Sequence, residues 1–160
     1  MTIKVGDKLP SVKLSHFTAE GPRPITPEEL FAGKKAVLFA LPGAFTPTCS
    51  AKHLPGFLAH YDALKAKGVD VIACISVNDA FVMNAWGKDQ NVGDKVVMLA
   101  DGNGDFAKAI DLTMDGTGFG MGLRSLRYAM VIEDNTVKVL NVESPGAFEV
   151  SSAEAVLKAL

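Results

Sequence analysis

The chain has 160 residues, a formal net charge of −2, and 48% hydrophobic against 21% charged residues. That length suits one domain, residues 1–160, with a substantial core. The near-balanced charge, without a long run of one sign, excludes a nucleic-acid groove or a polybasic membrane patch, and no apolar run is long enough to span a bilayer.

Two cysteines do not make a secreted disulfide framework. They fit a reducing compartment, where a special thiol is kept reduced and reused, so a cytoplasmic protein is expected. Met1–Asp7 reads without a signal-peptide core.

In chain order, Thr26-Pro27-Glu28-Glu29 is a capping box with proline at the first helical position, and Gly33 should end that short helix. Ala36–Leu41 reads as a buried strand. A helix is expected through Tyr61–Lys67 with Gly68 as its C-cap, and Pro55-Gly56 should kink or interrupt it near its start. Val69–Val77 is β-branched and apolar, a central strand. Asn78 or Asp79 caps a helix over Ala80–Gln90. Val96–Ala100 is a further strand, followed by the turn Asp101-Gly102-Asn103-Gly104 and a short helix through Ala107–Ile110. Gly116–Gly122 is a glycine-rich loop. Arg127–Glu133 and Thr136–Val142 should pair as a hairpin across Asp134-Asn135, and Ser151-Ser152-Ala153-Glu154 opens a C-terminal helix. Strands alternating with helices, then a late antiparallel hairpin, predict a mixed central sheet flanked by helices, an α/β protein.

The segment Ala40-Leu41-Pro42-Gly43-Ala44-Phe45-Thr46-Pro47-Thr48-Cys49-Ser50 carries the chemistry. It leads from a strand into a helix start. There, unpaired N–H groups and the helix dipole favour an anion, and a thiolate is such an anion. A dithiol motif would have a second cysteine where Thr46 stands. Thr46 is therefore either a turn residue or a donor to the sulfur three residues on. His53, one helical turn after Cys49, raises a cysteine–histidine pair of the hydrolase type, although i,i+4 neighbours on a helix need no chemical reason. Cys74 lies inside an apolar strand, where core packing outweighs a redox role. Gly116–Gly122 lacks the lysine and hydroxyl pair of a phosphate-binding loop and reads as a loose loop. Arg124 and Arg127 follow it. Arg127 leads an apolar strand and is the better placed of the two to be held at a sheet end. No His/Cys cluster has metal-ligand spacing, and no cofactor is expected.

Pro42, Thr46 and Cys49 match the P-x-x-x-T-x-x-C motif of peroxiredoxins. The longer string Pro42–Ser50, with His53-Leu54-Pro55-Gly56-Phe57, resembles the branch containing mammalian peroxiredoxin five and the plant type II enzymes. The likeness continues in Ser76–Val82, Trp86-Gly87, Leu99–Gly102 and Arg127–Val131. The resemblance implies a thioredoxin fold with peroxiredoxin insertions. It also implies a thiol-dependent peroxidase acting on hydrogen peroxide and alkyl hydroperoxides. Cys49 matches the peroxidatic cysteine, Thr46 and Pro42 its pocket, and Arg127 the arginine beside the thiolate. Glutathione, glutaredoxin or thioredoxin would return the electrons, and a homodimer is expected. A peroxide sensor or holdase-type binding protein is the alternative. Mammalian members carry a resolving cysteine near the C-terminus, whereas Gly146–Ser152 holds no thiol. Cys74 lies where the plant enzymes carry their second cysteine. The glutaredoxin domain fused to some bacterial relatives is not expected.

Overall fold

Seven strands form the central sheet, five of them on the runs that the sequence marks. A computed structural model describes residues 2–160. The strands of the sheet are β1 (Leu14–Thr18), β2 (Gly21–Ile25), β3 (Lys35–Ala40), β4 (Val71–Ser76), β5 (Val97–Ala100), β8 (Tyr128–Glu133) and β9 (Thr136–Val142), while β6 (Thr113–Asp115) and β7 (Leu123–Ser125) pair as a separate ribbon. Their order across the sheet is β2-β1-β5-β4-β3-β8-β9. Strands β3, β4 and β5 run parallel, and the flanking pairs are antiparallel. The sub-order β4-β3-β8-β9, with helices between β3 and β4 and after β9, is the thioredoxin fold. The hairpin β1–β2 and the ribbon β6–β7 are additions to it.

The alternation of side chains along each strand sorts the core into two layers. Val37, Phe39, Ile72, Cys74, Ala129 and Val131 point to one face. They pack there with residues of α2 (Leu54–Ala59), α3 (Tyr61–Ala66), α4 (Ala80–Asp89) and α6 (Ala153–Ala159). Ala36, Leu38, Ala73, Ile75, Met130 and Ile132 point to the other face, against α1 (Pro27–Phe31) and α5 (Asp105–Ile110). On the first face, Phe39 and Phe57 stack with centroids 4.1 Å apart. Fully burying a side chain of that size is worth about 1.5–3 kcal/mol, so this contact fixes α2 to the strand that leads into Cys49.

Caps form at Thr26 and Asp79 as the sequence predicts, but in Ser151-Ser152-Ala153-Glu154 the cap is the second serine, because the Ser151 hydroxyl donates to Glu143. Thr26, Asp79 and Ser152 each accept a backbone N–H of the first helical turn. Asn78, the other candidate cap for α4, is used elsewhere. Its Oδ1 accepts from Ala44 N at 3.0 Å and from the Ser76 hydroxyl at 2.6 Å, tying the loop after β3 to the end of β4. The expected helix through Ala107–Ile110 starts earlier, at Asp105, because the buried Asp101 carboxylate accepts from Phe106 N and Ala107 N. The β1–β2 hairpin escapes the sequence reading because Gly21-Pro22-Arg23-Pro24-Ile25 lacks strand propensity. Prolines there suit an edge strand, and β2 is one.

The glycine-rich stretch is not loose. Gly116 N donates to Gly122 O, and Phe119 N and Met121 N donate to Gly116 O, closing it as the tip of the β6–β7 ribbon. A Cβ at Gly116 would sit 2.9 Å from Gly122 O, so only glycine admits that closure.

Candidate active site

Cys49 lies where the sequence places it, at the start of a helix that follows β3. Pro47 and Thr48 are helical, and Cys49–His53 is a π-helical turn. The Leu54 N–H donates to Cys49 O, five residues back. Pro55 accounts for this wide turn. It has no N–H to continue the ladder, and its ring crowds the carbonyl four residues before it; one extra residue in the turn relieves both. The predicted interruption at Pro55-Gly56 therefore appears as a π turn before the proline, with a second break at His60.

The loop entering the helix is tightly held. The Thr46 hydroxyl donates to Gly43 O at 2.7 Å. That proton is not directed at Cys49, so Thr46 offers the site its oxygen lone pairs rather than a donor. Phe45 adopts a left-handed backbone, φ 65°, which costs a non-glycine residue about 1–2 kcal/mol. Arg124 is no stray surface charge. Its Nε donates to Met121 O at 3.0 Å and its Nη1 to Pro42 O at 3.3 Å, clamping the β6–β7 tip onto the rim of the site. A Cβ on Gly43 would meet Arg124 Nη1 at 2.9 Å, so Gly43 makes room for that clamp.

Arg127 precedes β8, which lies beside β3, and this adjacency delivers its side chain to the helix start. Nη2 donates to Cys49 Sγ at 3.1 Å, and Nη1 donates to His53 Nδ1 at 2.8 Å. His53 Nε2 lies 2.9 Å from Ser151 O. Arginine only donates and a carbonyl only accepts. The ring is therefore the neutral tautomer with its proton on Nε2. His53 is fully buried, and burial first, then the Arg127 charge, pushes its pKa down to about 3. Both ring nitrogens are committed away from Cys49. The cysteine–histidine pair of a hydrolase is not formed; His53 faces Arg127 instead. Its i,i+4 spacing from Cys49 was the available signal, but not the partner it would choose.

Cys49 and Cys74 are free thiols, both fully buried and both on the same core layer. Burial, then the nearby Cys49 sulfur, pushes the Cys74 thiol up, and Arg127 only partly opposes this. Cys74 thus remains a protonated core thiol, paired across the sheet with Phe39 and Met98. Of the four site residues expected from the sequence, Cys49 and Arg127 are in contact, Thr46 is turned to its own loop, and Pro42 contributes its carbonyl to Arg124.

A lone thiol at a helix start, held by a guanidinium on a thioredoxin sheet, defines a redox protein that works through sulfur. Comparison with known proteins narrows the class. The Redoxin family profile matches residues 4–157. Peroxiredoxin-2E-2, chloroplastic, of Oryza sativa subsp. japonica is 57% identical, over 99% of this chain and 73% of its own length. Peroxiredoxin-2E, chloroplastic, of Arabidopsis thaliana is 53% identical, over 99% of this chain and 70% of its own. The crystal structure of reduced Prx3 from Vibrio vulnificus in complex with hydrogen peroxide superposes with a TM-score of 0.95 at 58% identity, covering 99% of each chain. The chain belongs to the Redoxin family and, within it, to the peroxiredoxins, the thiol-dependent peroxidases.

The cytoplasmic placement expected from composition is corrected by the same comparison, since both plant relatives are named chloroplastic. Two reduced thiols report a redox environment. A compartment is set by receptor-read address segments, which core composition does not encode.

The neutral, buried His53 makes stability depend on pH. Its folded pKa of about 3 lies below the unfolded value near 6.5. Below about pH 6.5 the unfolded chain binds a proton that the native state does not, so stability falls as pH falls. Urea unfolding at pH 7 and pH 5 should show the protein losing about 2 kcal/mol more than its His53→Leu variant. Equal losses in the two proteins would mean that His53 is not held neutral.

Proposed function

We propose that Cys49 is the peroxidatic nucleophile, with Arg127 as its charge partner and Thr46 and Pro42 shaping the peroxide pocket. The observation that carries this reading is the Arg127 Nη2 to Cys49 Sγ contact of 3.1 Å. A guanidinium there favours the ionised sulfur and remains in place for the oxygen charge that develops on cleavage. The thiolate attacks the terminal oxygen of the peroxide. An S–O bond forms and the O–O bond breaks, leaving Cys49 as a sulfenic acid. Hydroxide or alkoxide departs and takes a proton from solvent. The Thr46 oxygen accepts from the peroxide O–H, and the first-turn N–H groups and Arg127 receive the leaving oxygen. That the 58% identical Prx3 structure from Vibrio vulnificus is a complex with hydrogen peroxide supports the same substrate here.

Arg127→Gln should lower kcat/KM for hydrogen peroxide by about tenfold or more, as for loss of one transition-state donor, while Cys49→Ser abolishes turnover. Arg124→Gln, which leaves the sulfur's partner intact, should cost only about twofold. Equal small effects at both arginines, or substantial activity in Cys49→Ser, would refute these roles.

Regeneration follows a one-cysteine route through an external thiol. Cys74 is fully buried inside β4, so reaching Cys49 would require local unfolding. Glutathione attacks the sulfenic acid, releasing water and leaving a mixed disulfide on Cys49, which glutaredoxin then reduces. Because Cys49 is itself buried, the π turn opens before glutathione reaches it. Mass spectrometry after peroxide plus glutathione should locate one adduct on Cys49, and Cys74→Ser should keep most of the glutaredoxin-dependent activity. A stoichiometric Cys49–Cys74 disulfide from peroxide alone, with activity lost in Cys74→Ser, would establish Cys74 as the resolving cysteine instead.

The assembly is a homodimer formed around the site entrance. Phe45, Phe81 and Phe119, on the segments around the site, are 53%, 65% and 85% exposed, apolar area that a second copy of the chain would cover. Light scattering at micromolar concentration should give twice the chain mass. A monomer in both redox states would contradict this.

A further inference from the structure

The contacts of Arg127 do not end at His53. The Glu143 backbone N–H donates to Arg127 O at 2.9 Å, continuing the β8–β9 ladder by one step past Tyr128 and Val142. The Glu143 carboxylate turns the other way, into the segment between β9 and α6. Its Oε2 accepts three hydrogen bonds, from Glu149 N at 2.7 Å, Ser151 N at 2.8 Å and the Ser151 hydroxyl at 2.6 Å. Ser151 O in turn accepts from His53 Nε2. These bonds form a closed ring: Arg127 main chain, Glu143, Ser151, His53, and back to the Arg127 guanidinium. The output of the ring is the one guanidinium nitrogen that reaches Cys49.

We infer that Glu143 is a positioning residue for Arg127, acting through Ser151 and His53 to fix where the guanidinium meets the sulfur. The inference rests on the reading of Cys49 and Arg127 as the reacting pair.

Three observations support it. First, Glu143 is buried, at 6% exposure, in a segment with no helix or strand of its own, yet its carboxylate gathers that segment's N–H groups. Burial pushes the carboxyl up, but the Ser151, Glu149 and Val150 hydrogen bonds outweigh it and the net direction is down. Glu143 is thus held as an anion that organises the segment. Second, Phe148 in the same segment covers the pair from outside. Its ring lies 5.1 Å from the His53 ring, edge-on, and 5.9 Å from the Arg127 guanidinium carbon. Third, His53 is buried, and among the described residues Ser151 O is the acceptor of its Nε2 proton, so moving Ser151 O leaves that donor unpaired or turns the ring. An unpaired donor no longer holds the ring in place, and a turned ring withdraws the lone pair that holds Arg127 Nη1. A long, flexible arginine is then free to leave a sulfur that it touches through one nitrogen.

The test is a double-mutant cycle on the full chain in a Cys74→Ser background. The readouts are kcat/KM for hydrogen peroxide and the ultraviolet thiolate band of Cys49 at neutral pH. Glu143→Gln should lower kcat/KM by about tenfold, as for misplacement of a catalytic group from outside the site, and should weaken the thiolate band. Glu143→Asp serves the same test if the glutamine variant does not fold. Added to His53→Leu or to Arg127→Gln, either Glu143 substitution should cost nothing further, because each of those already breaks the ring. A folded Glu143 variant with an unchanged band and kcat/KM within twofold would overturn the inference, as would losses that add fully to those of His53→Leu. If Arg127→Gln itself leaves the band and the rate unchanged, the underlying reading of the reacting pair fails instead.

Discussion

The hydrogen bond from Arg127 to Cys49 joins the two halves of the fold that make the site. Cys49 hangs from the C-terminal end of β3 through the Pro42–Thr46 loop, and Arg127 enters β8, the antiparallel neighbour of β3. The pairing Ala40↔Tyr128 brings these two chain segments, far apart in sequence, to the same sheet end. A one-residue slip in that register would send every side chain of β8 to the opposite layer. The two-layer core, with Phe39, Ala129 and Val131 on one side and Leu38 and Met130 on the other, therefore also places the guanidinium.

The proposed site joins the Cys49 nucleophile with complete burial of its sulfur. Burial strengthens the arginine–sulfur interaction by removing water, and it limits approach to small oxidants. The helix carrying the sulfur is also the least regular in the chain, with a π turn, a proline inside and a break at His60. Irregular, poorly hydrogen-bonded segments open at low free-energy cost. On the proposed one-cysteine route, the same sequence, Cys49 to Pro55, would serve both as a packed reduced state and as the opening for a larger thiol.

Much of this was legible in the sequence because it is local. The strand–turn–helix order around Cys49, the caps at Thr26 and Asp79, and the apolar runs of β3, β4 and β8 depend on near neighbours. Arg127 is legible through the family resemblance and its place at a strand start. What was not legible depends on partners distant in the chain. Asn78 read as a helix cap but ties down Ala44, and Arg124 read as part of a loose segment but reaches Pro42. His53 read as a possible base for Cys49. Only the folded positions of Arg127 and Ser151 show that both its nitrogens are spent elsewhere. Glu143 gave no signal at all, since an acidic residue after a strand is ordinarily a solvated charge.

The account depends on Arg127 being held between a neutral His53 and the Cys49 sulfur. The most direct measurement is nitrogen-15 NMR of the imidazole rings in the reduced protein, with His53 identified by the signals lost in His53→Leu. From pH 8 down to about pH 5, His53 should keep the pattern of a neutral ring with its proton on Nε2 and an acceptor Nδ1. A ring protonated on both nitrogens near pH 6, or a proton on Nδ1, would mean that it cannot accept from Arg127, and the account would be wrong.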